Sequence, residues 1–218
     1  MKSRIAARGL AAQLASLGLV ATALAAQTVT GDAAAGAAKA AVCGACHGAT
    51  GNSVNPEWPN LAGQHHEYVT EQLGLFKAGV RLGPVMAPMA LTLSPQDMAD
   101  LAAYFERQTL TGLEADPGLW QAGQKLYRGG DQTRGIPACS GCHGPNGRGN
   151  GPARWPQIRS QQPAYVASQL KNYASKTRYT AVTGQPAAPA GAEIMYDISK
   201  RLSADDVAAL TAYLKGLR

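Results

Sequence analysis

Apolar positions along this chain recur with a helical period, and no segment alternates with the period of a strand. This predicts helices and no sheet. His66 to Lys77 puts Tyr68, Leu73 and Phe76 on one face, and Ala164 to Ser175 does the same with Tyr165, Leu170 and Tyr173. Two further stripes, Met98-Leu101-Tyr104 and Val207-Leu210-Tyr213-Leu214, each follow a helix start. Ser94 caps the first, with Pro95 in its first turn and Asp97 three residues on; Ser203 and Asp206 repeat the arrangement. Ala33 to Val42 and Leu119 to Arg128 read as two more helices, each leading into a pair of cysteines. Gly36 and Gly123 sit at matching places in them, where a missing side chain lets another helix cross closely. Residues 107–118, with Thr, Gly, Asp and Pro, show no periodicity and read as a connection between two halves.

The first 26 residues stand apart. Lys2, Arg4 and Arg8 precede an apolar run from Gly9 to Leu24, and Ala23-Leu24-Ala25 is a small-x-small cleavage signature. This reads as a secretory signal peptide over 1–26. The competing reading is an uncleaved anchor, but the run is 16 residues long, short of the ~20 needed to span a bilayer. The remaining chain is then expected outside the cytoplasm, as domains over 27–108 and 119–218 joined by a linker over 109–118.

Composition adds a need for something besides side chains. Aromatics make up only 6% of the 218 residues and there are two Phe, so two halves of this size would have thin cores. A large flat apolar cofactor in each would fill them. Charge is split: residues 27–113 carry a net −3 and residues 114–218 a net +6. Such a dipole steers and orients charged partners. It makes nucleic acid a poor fit for an exported chain with an acidic half.

All four cysteines fall in two copies of one pattern, Cys43-Gly44-Ala45-Cys46-His47 and Cys139-Ser140-Gly141-Cys142-His143. C-x-x-C-H is the attachment motif of c-type haem. Two thiols three positions apart reach the two vinyl groups on one porphyrin edge, and the adjacent His comes under the iron. Structural disulfides or a four-cysteine zinc site would leave both histidines unexplained. A thioredoxin-like pair would need a βαβ context that is not present.

An internal repeat points to the ligands on the far side of each iron. Trp58-Pro59 maps to Trp155-Pro156, Tyr68-Val69 to Tyr165-Val166, and Arg81 to Arg178, all at an offset of 97. Leu93-Ser94 maps to Leu202-Ser203 and Ala103-Tyr104 to Ala212-Tyr213 at 109, so the second half carries an insertion, Thr183 to Ala192. At that later offset Met86 meets Met195, whereas Met89 meets Ile198 and Met98 meets Val207. Met86 and Met195 are therefore the expected distal ligands, with Met89 and Met98 expected in the core. His65 and His66 are rival ligands, but their counterparts are Gln162 and Pro163. They are expected to face solvent at a helix start.

These residues resemble the dihaem cytochrome c4 family across the whole exported chain. The likeness rests on Ala41 to Gly48, Leu61-Ala62-Gly63-Gln64 and Leu93 to Asp97 in the first half. In the second it rests on Arg128-Gly129-Gly130-Asp131, Pro137-Ala138-Cys139 and His143 through Pro145-Asn146-Gly147. The resemblance implies an all-α fold of two tandem class I cytochrome c domains packed face to face. Each would have three to four helices around a covalently bound haem c held by His and Met. It implies a periplasmic carrier of single electrons, not an enzyme. Its donor would be a quinol-oxidising complex or a dehydrogenase and its acceptor a terminal oxidase or a reductase, with room for peripheral contact with a membrane. Other readings are the haem subunit of a dehydrogenase complex, of flavocytochrome or alcohol dehydrogenase type, and a dihaem peroxidase, which two matched methionines disfavour. One departure is Arg159-Ser160-Gln161, where the family has Gly-Gly-Gln.

Overall fold

The computed structural model describes residues 29–218; the expected signal segment, 1–26, lies outside them. The described chain is helical, with no strand beyond three isolated bridges. The first half runs α1 (Ala33–Lys39), α2 (Ala41–His47), α3 (His66–Lys77), α4 (Met86–Leu91) and α5 (Pro95–Glu106). The second runs α6 (Trp120–Gly129), α7 (Ser140–His143), α8 (Pro163–Ala174), α9 (Gly191–Ser199) and α10 (Ala204–Gly216). No helix among the described residues is long and apolar enough to cross a membrane.

The long helices follow the sequence pattern closely. Ser94 and Ser203 each complete a capping box: the hydroxyl accepts from the backbone of Asp97 or Asp206, whose carboxylate returns a bond to the cap. Asp32 caps α1 by accepting from Ala34 and Ala35. The predicted helix over Ala33 to Val42 is broken at Ala40, so the first cysteine pair begins a new helix, α2. Each half holds five helical segments rather than three or four. The extra ones, α2, α4, α7 and α9, are short and carry Cys43, Cys46, Cys142, Met86, Met89 and Met195.

In each half the first and last helices cross, α1 over α5 and α6 over α10. Glycine makes both crossings possible. A Cβ on Gly36 would stand 2.0 Å from the Asp100 carbonyl oxygen, and one on Gly123 would stand 2.0 Å from that of Ala209. The small cores gather beneath these crossings. Leu101 and Phe105 form one, bordered by Cys43. Leu126, Tyr127, Ile136, Leu210 and Tyr213 belong to the other, bordered by Cys139. The first cysteine of each pair thus packs against the core of its half.

The halves meet face to face through bonds that repeat across a pseudo-twofold axis. Gln161 Oε1 accepts from the Asn60 backbone at 2.7 Å and Gln161 Nε2 donates to the Asn60 carbonyl at 3.1 Å. Gln64 and Gln157, their counterparts, exchange the same two bonds at 2.8 and 2.9 Å. Arg81 donates to the Tyr165 hydroxyl and Arg178 to that of Tyr68, each at 3.0 Å. Near the axis Leu82 and Thr180 donate backbone bonds across the seam to Arg178 and Val80.

Candidate haem sites

The structure places Cys43, Cys46 and His47 on α2, a single short helix. A spacing of three brings both thiols to the same side of a helix. In the second half Cys139 caps α7, which carries Cys142 and His143. All four thiols are free. They do not gather into a metal site: among the described residues the cluster of metal-capable side chains is His65, Glu67 and Glu106. The disulfide and zinc readings both fail.

The histidine after each cysteine pair is held in one tautomer. His47 Nδ1 lies 2.9 Å from the Pro59 carbonyl oxygen, and His143 Nδ1 lies 3.0 Å from that of Pro156. A carbonyl only accepts, so Nδ1 carries the proton and Nε2 keeps its lone pair. Burial pushes both imidazoles below their ordinary pKa, against the smaller upward pull of the carbonyl bond. Both rings are therefore neutral at physiological pH, as coordination requires. The repeated Trp-Pro pairs thus acquire a role that sequence reasoning missed. They supply the acceptors that fix the tautomer and orientation of His47 and His143, the arrangement that a metal-ligating His needs.

The two expected ligand methionines lie on the short helices. Met86 opens α4 and Met195 lies within α9, both half-buried. Met98 is core, at 5% exposure, as expected. Met89 is not: it is 40% exposed, because α4 is a surface helix whose one buried side chain is Ala90. His66 faces solvent and binds the Glu106 carboxylate at 2.9 Å. The expectation for His65 needs correction. It is half-buried, and its Nε2 donates across the seam to the Arg148 carbonyl at 2.6 Å. Its role is to join the halves, and its ring nitrogen is already engaged.

The donor set fits haem c: two thiols and a neutral imidazole with a free Nε2 in each half, and a thioether on a separate short helix. Two buried polar atoms among the described residues also lack a partner, Arg178 Nη1 and Ser199 Oγ. Both lie in the second half, and Ser199 is one helical turn beyond Met195 on α9.

The cytochrome c family model matches residues 33–108 and 120–218. Cytochrome c4 of Azotobacter vinelandii is 45% identical over 196 residues, covering 86% of this chain and 90% of that one. The crystal structure of reduced recombinant cytochrome c4 from Pseudomonas stutzeri superposes with a TM-score of 0.79 at 42% identity, over 87% of this chain and 100% of that one. A thiosulfate dehydrogenase electron acceptor of Thiomonas intermedia is 34% identical, over 81% of this chain and 78% of its own length. With two halves built alike around the same donor set, the chain belongs to the dihaem cytochrome c4 family, an electron carrier rather than an enzyme, with one covalently attached haem c in each half.

Proposed function

We propose that His47 and Met86 are the axial ligands of a haem tethered by Cys43 and Cys46. His143 and Met195 would serve a second haem, tethered by Cys139 and Cys142. The observation that carries this reading is the duplicated imidazole with Nδ1 bound to a proline carbonyl and Nε2 free. The repeat favours Met86 over Met89, since only the former meets a methionine in the second half. A haem so held supplies a one-electron couple, and thioether ligation raises its potential. The chain would contribute an imidazole and a thioether to each haem, which would leave no open position for a substrate, and would hold both groups on helices so that little need move on reduction. The domains would be 27–108 and 119–218, with 109–118 between them.

In this reading the protein works in the periplasm. It takes single electrons from a quinol-oxidising complex or a dehydrogenase and passes them to a terminal oxidase or reductase. A lasting place in a dehydrogenase complex is the second reading, favoured by the relatives named thiosulfate dehydrogenase electron acceptor. Met86→Ala and Met195→Ala, each purified as holoprotein, test the ligation. Each should remove about half of the far-red sulfur-to-iron band and leave one haem high-spin. Met89→Ala should leave the band unchanged; losing it there would transfer the role to Met89. Gel filtration of a native extract separates the two cellular readings. A lone carrier elutes at the size of the single chain, and a subunit elutes with its dehydrogenase.

A further inference from the structure

Arginines gather where the segment connecting the halves passes the C-terminus, and no acid accompanies them. A cavity of about 210 Å³ is lined there by Leu110, Gly112, Arg159, Ser160 and Arg218. Arg159 belongs to the segment Arg159-Ser160-Gln161 that departs from the family's Gly-Gly-Gln. Its backbone donates to the Gly147 carbonyl at 3.2 Å, which brings Arg148 alongside. Arg218 reaches the same cavity from the end of the chain. The Ser160 hydroxyl holds the preceding residue by donating to the Leu217 carbonyl at 3.0 Å. The Arg218 guanidinium then lies along Gly112, where a Cβ would stand 2.6 Å from its Nε. The missing side chain of Gly112 is what lets the guanidinium lie there.

The donors of these side chains are open. Arg159 commits Nε to Gln157 Oε1 at 2.9 Å. Gln157 is buried, and its own Nε2 donates to the Ala62 carbonyl. The inner edge of the Arg159 guanidinium is therefore fixed and its two Nη atoms remain. No carboxylate among the described residues lies within ion-pair distance of Arg148, Arg159 or Arg218. Burial first, and then the like charge of Arg148, push the Arg159 guanidinium below its ordinary pKa. Arginine nevertheless stays charged, so the repulsion persists until an anion relieves it. Two guanidiniums carried by separate segments onto one cavity offer paired N–H donors, the arrangement that recognises the oxygens of a phosphate or sulfate group.

We propose that this cavity binds a tetrahedral oxyanion of the phosphate or sulfate class, gripped by the Nη donors of Arg159 and the guanidinium of Arg218. The anion would tie the connecting segment to the second half. It would also change what that half presents to partners. A bound dianion takes the net +6 of residues 114–218 down by two charges and weakens its attraction for an acidic surface. The proposal depends neither on the choice of haem ligands nor on the identity of the redox partners.

Isothermal titration of the holoprotein with sodium sulfate, and separately with sodium phosphate, tests this in a chloride medium of constant ionic strength. At least one of the two should bind saturably with one anion per chain, and the tighter names the occupant. Arg159→Gln and Arg218→Gln should each weaken that binding about tenfold or more, since each removes charge-assisted hydrogen bonds. Lys176→Gln is the control for charge alone, because Lys176 pairs with Glu193 and does not line this cavity. It should leave the affinity within about twofold, as expected for a distant and screened charge. Absence of saturable binding by both anions overturns the proposal. So does an Arg159→Gln or Arg218→Gln protein that binds as tightly as the native one, or a Lys176→Gln protein weakened to the same degree. Should Arg159→Gln fail to assemble, Arg218→Gln and the control decide the matter on the same terms.

Discussion

Ser160 is buried at 2% exposure with φ +46°, in the left-handed region that disfavours a Cβ. It occupies the place of Gly63, whose φ is +68°. The serine is held there by its hydroxyl, which donates to the Leu217 carbonyl at 3.0 Å, and by its amide, which donates to Leu214 at 2.8 Å. The departure from Gly-Gly-Gln thus exchanges backbone ease for a tie to the C-terminus. Ser160→Ala keeps the strain and orphans a carbonyl, so it should destabilise by about 1–3 kcal/mol. Ser160→Gly loses the same bond but relieves roughly 1–2 kcal/mol of strain, and should stay near wild type. Chemical denaturation of the two holoproteins gives the comparison. At this scale the duplicated Cys-x-x-Cys-His pattern was legible in the sequence, because it resides in residue type and spacing, whereas the place of His65 at the seam was not. It hid the Pro59 and Pro156 acceptors, since a backbone carbonyl has no residue-type signature. It also misplaced Met89, because helical spacing does not say which side of a short helix meets solvent.

Among the elements, the helix crossings depend most sharply on single residues. A Cβ on Gly36 or Gly123 would press into backbone, which cannot swing aside as a side chain does. Gly→Ala in a free helix is stabilising by roughly 1 kcal/mol. Here Gly36→Ala and Gly123→Ala should each cost several times that, about 3 kcal/mol or more. Thermal melts of the holoproteins check this, and a rise in either melting temperature would mean the crossings are looser than described. These crossings were legible in the sequence because each glycine recurs in the repeat within an otherwise helical run. The capped helices α5 and α10 were equally plain, with cap, first-turn proline or acid, and apolar stripe in agreement. The short ones were not. Helix α4 has Pro88 inside it and no side-chain cap, α7 spans four residues, and α9 opens on a glycine at the end of an insertion. Segments this short carry little propensity, and tertiary packing decides their form.

Across the whole molecule, the seam between halves is built from amides rather than from an apolar patch. Asn60, Gln64, Gln157 and Gln161 would pass for surface residues in the sequence, yet all four are buried. Their value lies in complete pairing, which no local pattern reveals. Gln161→Ala would leave both the Asn60 amide and its carbonyl without partners. At about 1–3 kcal/mol for each buried orphan, it should loosen the seam enough to separate the unfolding of the two halves. Calorimetry should then resolve two transitions where the native protein gives fewer, and a single unshifted transition would contradict the assignment. The charge split acts at this same scale. A net −3 over residues 27–113 and +6 over residues 114–218 present opposite fields to partners, and salt screens such fields. Raising ionic strength should slow electron exchange with at least one of donor and acceptor in stopped-flow measurements, and equal rates at low and high salt would remove the role of the dipole.

The most direct test of the account is an electron count. Purified holoprotein, reduced stepwise with absorbance followed throughout, should take up two electrons per chain, one at each iron. Both irons should stay low-spin from the fully oxidised to the fully reduced state. Uptake of a single electron, or an iron that is high-spin at either end of the titration, would contradict a molecule with a closed, His- and Met-ligated haem in each half.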